Sequence, residues 1–447
     1  MPRDGTSQPP TTDRCKSPRF GELRANDEEE GLHVELNAGD SAWMLAATAL
    51  VLFMTPGLAL FYGGMVRAKN VLGMLVQNFF AMGILAVLWC AVVFSLAFGD
   101  AGNKGFIGNF DFAWMKDVGP ALPPATYAIP LSISFVLFCA FQMTFAIITP
   151  ALITGATADR LKFSAYALFI SIWLVVVYAP IAHMVFAGGW LASQGALDFA
   201  GGAVVHMNAG AAALALILVL GVRKGYPERP MPPHSLPLTM IGTGILWFGW
   251  AGFNAGSALA ANGIAAQAIF NTFVAASAAM LGWLLVEKLH AGHPTTLGAA
   301  SGAVAGLVAI TPCSGFVGGM APIYIGLVTG AICYTALKIK KVFKFDDSLD
   351  VIAVHLVGGL VGSLLLGLFA DATINAAVTH EGLFLGGGIT LLGDQALAAV
   401  VTLGYSFVLS LMLALAIDRT IGLRVTEAQE EEGLDLSQHR ETAYSPV

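Results

Sequence analysis

The chain has 447 residues, of which 56% are hydrophobic and only 11% charged, with a formal net charge of −7. A soluble domain carries about 25% charged residues, so this composition excludes an ordinary soluble protein and describes one threaded repeatedly through a lipid bilayer. The negative balance gives no reason to invoke nucleic acid. The five cysteines (Cys15, Cys90, Cys139, Cys313 and Cys333) show no CxxC spacing, so no disulfide framework, metal site or other cofactor is expected.

Residues 1–40 are polar, punctuated by Pro and Gly, with an acidic run at Glu28, Glu29 and Glu30. They lack the apolar core of a signal peptide and read as a flexible tail. Eleven apolar runs of spanning length follow, at about 41–66, 72–98, 127–153, 163–186, 200–221, 237–256, 264–286, 296–310, 317–337, 349–369 and 394–417. Residues 41–420 are thus expected to form a transmembrane domain, and 421–447 a cytoplasmic tail. Basic residues cluster in alternate loops, at Arg67 and Lys69, Arg160 and Lys162, Arg223, Lys224 and Arg229, Lys288, and Lys338, Lys340, Lys341 and Lys344. The other loops hold only Lys104 and Lys116. The positive-inside rule makes the first set cytoplasmic, with the N-terminus outside and the C-terminus inside.

Spans one to five and six to ten number five each, so the second half must be inverted relative to the first. Transporters use such repeats and place their site at the midplane. Two traces support the repeat. FYGGMVRAKN (Phe61 to Asn70) resembles FNAGSALAAN (Phe253 to Asn262), and DFAGGAVVH (Asp198 to His206) matches DSLDVIAVH (Asp347 to His355) in spacing. The expected fold class is an all-α integral membrane protein with eleven transmembrane helices, two inverted five-helix repeats plus a final helix. Each histidine follows its aspartate by eight residues, which places it about 12 Å into a core about 30 Å thick, from opposite faces.

An ionisable group at that depth marks a functional path by default. His206 and His355 could instead be two satisfied core residues, a bis-histidine haem or metal site, or the lining of a pore. Neutral imidazoles offer one donor and one acceptor each and, in tandem, could pass a small polar molecule or a proton. Asp198 reads equally well as a helix cap and as part of a site, while Asp347 and Asp350 read as caps and Asp159 with Arg160 as a loop ion pair. The rings of Phe141, Phe145, Phe186, Trp190, Trp247, Trp250 and Phe253 are expected mainly in packing, although converging ring faces would attract a cation that a hydroxyl such as Ser257 could also bind.

Longer strings carry a resemblance. LFMTPGLALFYGGMVRAKN at 52–70, GATADRLKFSA at 155–165, PIAHMVFAGGWLASQGALDFAGGAVVHMNAG at 180–210, DDSLDVIAVHLVGG at 346–359 and GLRVTEAQEEEGLD at 422–435 resemble the ammonium transporter, methylammonium permease and Rhesus family, in its bacterial ammonium transporter branch. The resemblance implies a homotrimer in the cytoplasmic membrane with a pore through each protomer, and no enzymatic activity. It implies that ammonium or methylammonium is recruited outside by Phe145, Phe253, Ser257 and the residue at Phe186, with Asp198 beneath. Phe145 and Phe253 would form the gate, and His206 and His355 the pore lining. Ammonia would cross after deprotonation, with the proton travelling separately. Two departures stand out. The branch usually has Trp where this chain has Phe186, which implies weaker capture unless Trp190 faces the vestibule. Arg440 stands where the branch often has Gly in a tail that cooperates with a PII-type signal protein, and Arg resists a turn that Gly permits. An ammonium sensor with low flux, a Rhesus-like pore for another small neutral solute and a histidine-ligated redox protein remain as alternatives.

Overall fold

The computed structural model describes Met1 and residues 35–444. The tail expected over 1–40 lies outside the described residues up to position 34. Among the described residues all regular structure is helical, apart from an isolated bridge between Leu161 and Arg424.

Among the described residues, ten helices are long and apolar enough to cross a membrane. They are α1 (Ala38–Met65), α2 (Ala68–Phe98), α3 (Phe135–Thr157), α4 (Phe163–Ser193), α5 (Gly202–Leu220), α6 (Leu236–Gly256), α7 (Gly263–Ala291), α9 (Ala321–Val342), α10 (Ile352–Phe369) and α11 (Thr390–Thr420). The eleventh, α8 (Thr296–Ile310), is apolar but only 15 residues long, or about 22 Å. The tail adds two short helices, α12 (Glu427–Glu432) and α13 (Leu434–His439).

All eleven expected spans are present, and their ends shift for local reasons. α1 starts at Ala38 because the Asn37 side chain caps it, accepting from the Asp40 amide at 2.9 Å. The third span starts at Phe135 rather than 127, since Pro120, Pro123, Pro124 and Pro130 break any helix across the preceding stretch. It then runs on to Thr157 and stops before Asp159, whose φ is 72°.

The halves interlock through α1 and α6, which pack antiparallel at glycine-scale separation. A Cβ on Gly57 would meet Ile245 at 2.5 Å, and one on Gly252 would meet Leu50 at 2.7 Å. Small residues that let backbones approach are the usual device for helix association in lipid. The matched strings of these two helices end on asparagines with different work. Asn262 caps α7 by accepting from the Ala265 amide at 3.0 Å. Asn70 accepts instead from the Leu434 amide at 2.8 Å, and so holds the tail.

The end of the bundle that carries α12 and α13, here the tail end, is fastened by charge. Asp159 pairs with Arg67 at 3.0 Å and with Arg223 at 3.5 Å. Arg160 lies against Asp346 at 3.9 Å and donates to the Asp346 carbonyl at 2.6 Å. Arg223 donates to both Asp346 oxygens, at 2.8 and 2.9 Å. Asp159 and Arg160 therefore do not pair with each other. The left-handed turn at Asp159 sends the two neighbours to separate partners in one buried cluster. Burial pushes the Asp346 carboxyl up, but Arg223 and Arg160 prevail and hold it below the usual carboxylate range.

The tail docks on this end. Gly73 donates to Asp435 at 2.7 Å, Arg424 pairs with Glu430 at 2.7 Å, and Thr426 and Gln429 form a capping box on α12. The turn expected to resist Arg440 forms all the same. Arg440 adopts φ 57° and ψ 35°, and its amide closes on the Leu436 carbonyl at 3.0 Å, so the hydrogen bonds that end α13 outweigh the strain on a side chain in the left-handed region.

Candidate functional site

The two aspartate–histidine strings fold alike. Gly201, with φ 120°, turns the chain sharply into α5. This lets the Asp198 carboxylate accept from four successive amides, those of Gly201, Gly202, Ala203 and Val204, at 2.8, 2.6, 2.8 and 3.2 Å. Asp198 is thus a cap, and it also lines a cavity. In the other half Asp347 accepts from Val351 and Ile352, at 3.1 and 2.7 Å. Asp350 does not cap α10. Its backbone takes φ 64° and its carboxylate pairs with Lys340 at 2.5 Å. After each cap the first turn is a π-turn, Gly202–Met207 in α5 and Ile352–Leu356 in α10, and each π-turn carries the histidine. Such turns recur at functional sites, though α2 and α4 contain them too.

The histidines meet. His206 Nδ1 and His355 Nδ1 lie 3.3 Å apart, so one donates and the other accepts. Their rings stack at 5.3 Å and 24°. The helices cross tightly enough for this because the fourth residue after each histidine is glycine. A Cβ on Gly210 would meet the Leu356 backbone at 2.7 Å, and one on Gly359 would meet the Gly202 carbonyl at 2.9 Å and His206 Cβ at 3.1 Å. Trp250 stacks on His206 at 5.5 Å and is itself fixed by donating to Thr311 Oγ1 at 2.9 Å. His206 Nε2 is buried and has no partner among the described residues. The space around the pair is walled by Leu58, Phe61, Ile148, Leu152 and Leu246, and its free volume is about 10 Å³, at the lower limit for a single water.

At the end away from the tail lies a larger cavity of about 470 Å³. Phe145, Phe186, Asp198 and Ser257 all line it. Phe253 lies deeper. Its ring sits 4.3 Å from that of Phe145 and 6.0 Å from that of His206, so it belongs to the passage wall with the histidines. The order from cavity to interior is therefore Phe145, Phe253, His206, His355. Ser257 Oγ donates to the Phe253 carbonyl at 2.9 Å, which leaves its lone pairs for a guest. Trp190 does not reach this cavity, because its ring packs on Phe106 at 5.3 Å and lies outside the lining. Nothing from that position replaces the missing indole.

Sequence reading missed Phe98, Phe138, Gln142, Phe199, Phe316 and Asn375, which also line the cavity. Gln142 had a readable signal: it is a lone amide inside the apolar run FCAFQMTF, one helical turn before Phe145. The phenylalanines had none, since rings that line a cavity and rings that fill a core look the same in sequence.

The Ammonium Transporter Family model matches residues 42–444. The ammonium transporter of Mycobacterium tuberculosis (strain ATCC 25618 / H37Rv) is 50% identical over 435 residues, covering 91% of this chain and 90% of the relative. Ammonium transporter Amt1 of Archaeoglobus fulgidus is 44% identical over 411 residues, covering 92% of this chain and all of the relative, 100%. Among solved structures, Candida albicans Mep2 superposes with a TM-score of 0.81 at 35% identity, covering 88% of each chain. A structure described as a Sensor Amt Protein gives 0.82 at 30% identity, covering 90% of this chain and 98% of that one. With the fold, the inverted halves and the match across nearly the whole chain in agreement, the protein belongs to the ammonium transporter family.

Proposed function

We propose that the protein moves ammonium across the cytoplasmic membrane, capturing the ion in the cavity of Phe145, Phe186, Asp198 and Ser257 and passing ammonia along His206 and His355. Family membership makes it a multi-pass transporter rather than an enzyme. One observation carries the rest. A hydrogen-bonded imidazole pair sits in a closed apolar passage directly beneath an aromatic cavity, with Phe145 and Phe253 in contact between the two.

The passage is selective by energy. An ion stripped of water in an apolar wall with room for at most one water pays a large desolvation cost, whereas neutral ammonia pays little. Burial pushes the Asp198 carboxyl up, and the four amides that fix it at the cavity floor pull against that; ionised, it favours a cation above. At that floor the ion gives its proton to solvent water of the cavity, and neutral ammonia goes on. Unpartnered His206 Nε2 then offers the first hydrogen bond inside, and the Nδ1–Nδ1 contact hands on to His355.

The cavity end faces outward, with the N-terminus outside and the tail in the cytoplasm, as the basic loops require. Residues 41–420 form the transporting domain, and 421–447 the regulatory tail. The assembly is a homotrimer, and a PII-type signal protein acts on the tail end. A second reading, an ammonium sensor with low flux, draws on the likeness to the Sensor Amt Protein and on Phe186 in the cavity wall.

Ammonium pulses on liposomes holding the wild type, His206→Ala or His355→Ala test the proposal. The wild type should take up ammonium and compete for methylammonium, and each alanine variant should lose most of that flux. A current alongside uptake means that the proton crosses too, while uptake without current means ammonia alone. A wild type silent in both measurements overturns transport in favour of the sensor.

A further inference from the structure

The cavity wall carries four polar side chains, Gln142, Asp198, Ser257 and Asn375. Three of them already make hydrogen bonds to the protein. Asp198 holds four backbone amides, and Ser257 donates to the Phe253 carbonyl. Asn375 donates to the Gly315 carbonyl at 3.1 Å and accepts from the Ala377 amide at 3.0 Å. Gln142 differs. Its residue is 9% exposed and its Oε1 is buried, yet that oxygen has no partner among the described residues. An unmet buried acceptor is costly, and buried polar groups in folded proteins are almost always paired.

Its location says what would pair with it. Gln142 sits on α3 one turn from Phe138 on one side and Phe145 on the other, so its amide shares their face of the helix. All three line the cavity, and Phe145 closes its floor against Phe253. A carboxamide oxygen is a neutral acceptor with two lone pairs. It can replace one water of an entering ammonium ion without holding the ion by a full charge, as a carboxylate would.

Resting on the transport reading above, we infer that Gln142 Oε1 is a ligand of the captured ion: it accepts an N–H of ammonium at the cavity floor, alongside the free lone pairs of Ser257. The ring faces then supply attraction without direction, and Gln142 with Ser257 supplies the directional bonds that count N–H groups. Methylammonium, with one N–H replaced by a methyl group, can meet fewer acceptors and loses less when Gln142 is removed.

The test compares wild type, Gln142→Leu and Gln142→Glu in liposomes, reading the half-saturating concentration of ammonium and of methylammonium. Gln142→Leu removes the acceptor at similar volume and should raise the ammonium value about tenfold, with a smaller rise for methylammonium. Gln142→Glu keeps an acceptor and adds charge, so it should bind ammonium at least as tightly as wild type. Equal rises in both variants mean that Gln142 only packs and overturn the inference, as does an unchanged Gln142→Leu. Should Gln142→Leu not fold, Gln142→Glu decides alone: a value at or below that of wild type supports the ligand role and a raised one overturns it. Absence of flux in the wild type would sink the transport reading instead, so the two failures are separable.

Discussion

Asp198 and Asp347 stand at equivalent places in the two halves, each eight residues before a histidine, and their surroundings differ in kind. Asp198 holds four amides and opens onto a cavity walled by rings. Asp347 holds two amides and adjoins a buried charge cluster of Asp346, Arg160, Arg223 and Asp159. Asn262 and Asn70 diverge in the same way, one capping a helix and the other gripping the tail. A duplicated frame has kept its capped histidines, left room at one end and filled the other with ionic fastening. Room at one end suits a guest, while fastening at the other ties the histidine-bearing helix α10 to the tail.

The largest effect should come from the fastened end. Asp346→Ala leaves Arg160 and Arg223 buried without their carboxylate, which should cost about 3–5 kcal/mol of stability, read by thermal unfolding in detergent. Because the folded carboxyl lies below its unfolded value, its contribution is complete above about pH 4 and is lost as pH falls through the folded value. Wild type should therefore weaken on that acid limb, and the variant should lack this part of the dependence. A loss under about 1 kcal/mol would remove the ionic fastening from the comparison.

The crossing of the halves comes next. Gly210→Ala and Gly359→Ala each force a methyl into a space already taken, at about 1–3 kcal/mol, and should also reduce flux by parting the imidazoles. Both should be affected. One silent variant would show that the halves are not reciprocal at the site.

Most of the fold was legible, because eleven apolar runs and alternating basic loops need only hydropathy and charge. The starts of α1 and α3 were not, since Asn37 and the run of prolines act through local hydrogen bonds and φ limits that a hydropathy window averages away. The candidate site was half legible. Spacing brought His206 and His355 to one depth, and their contact is a fact of helix crossing. Asp350 looked like a cap and is an ion-pair partner, because its left-handed backbone aims it at Lys340. The partners of Asp159 and Arg160 were invisible for the same reason, as adjacent residues at a sharp turn point apart.

Two smaller effects sharpen the contrast between the ends. Phe186→Trp should tighten capture by about 0.5–1 kcal/mol, a roughly two- to fivefold lower half-saturating ammonium concentration, since indole outbinds phenyl and Trp190 is turned away. An unchanged value would remove ring identity as a determinant at the open end. At the fastened end, Arg440→Gly relieves a left-handed residue worth about 1–2 kcal/mol, partly offset by a freer unfolded chain, and should stabilise the end of α13 by up to about 1 kcal/mol, read as slower proteolysis of the tail. Faster proteolysis would mean that the arginine side chain holds the turn.

The contact between His206 and His355 spans 149 residues of sequence. During synthesis α5 enters the membrane long before α10 exists, so for that interval the first half offers a lone imidazole and no passage. On the proposed reading, the path along the two imidazoles therefore cannot exist in a growing chain. The imidazole pair forms only when the tenth helix arrives and Gly359 seats against the fifth.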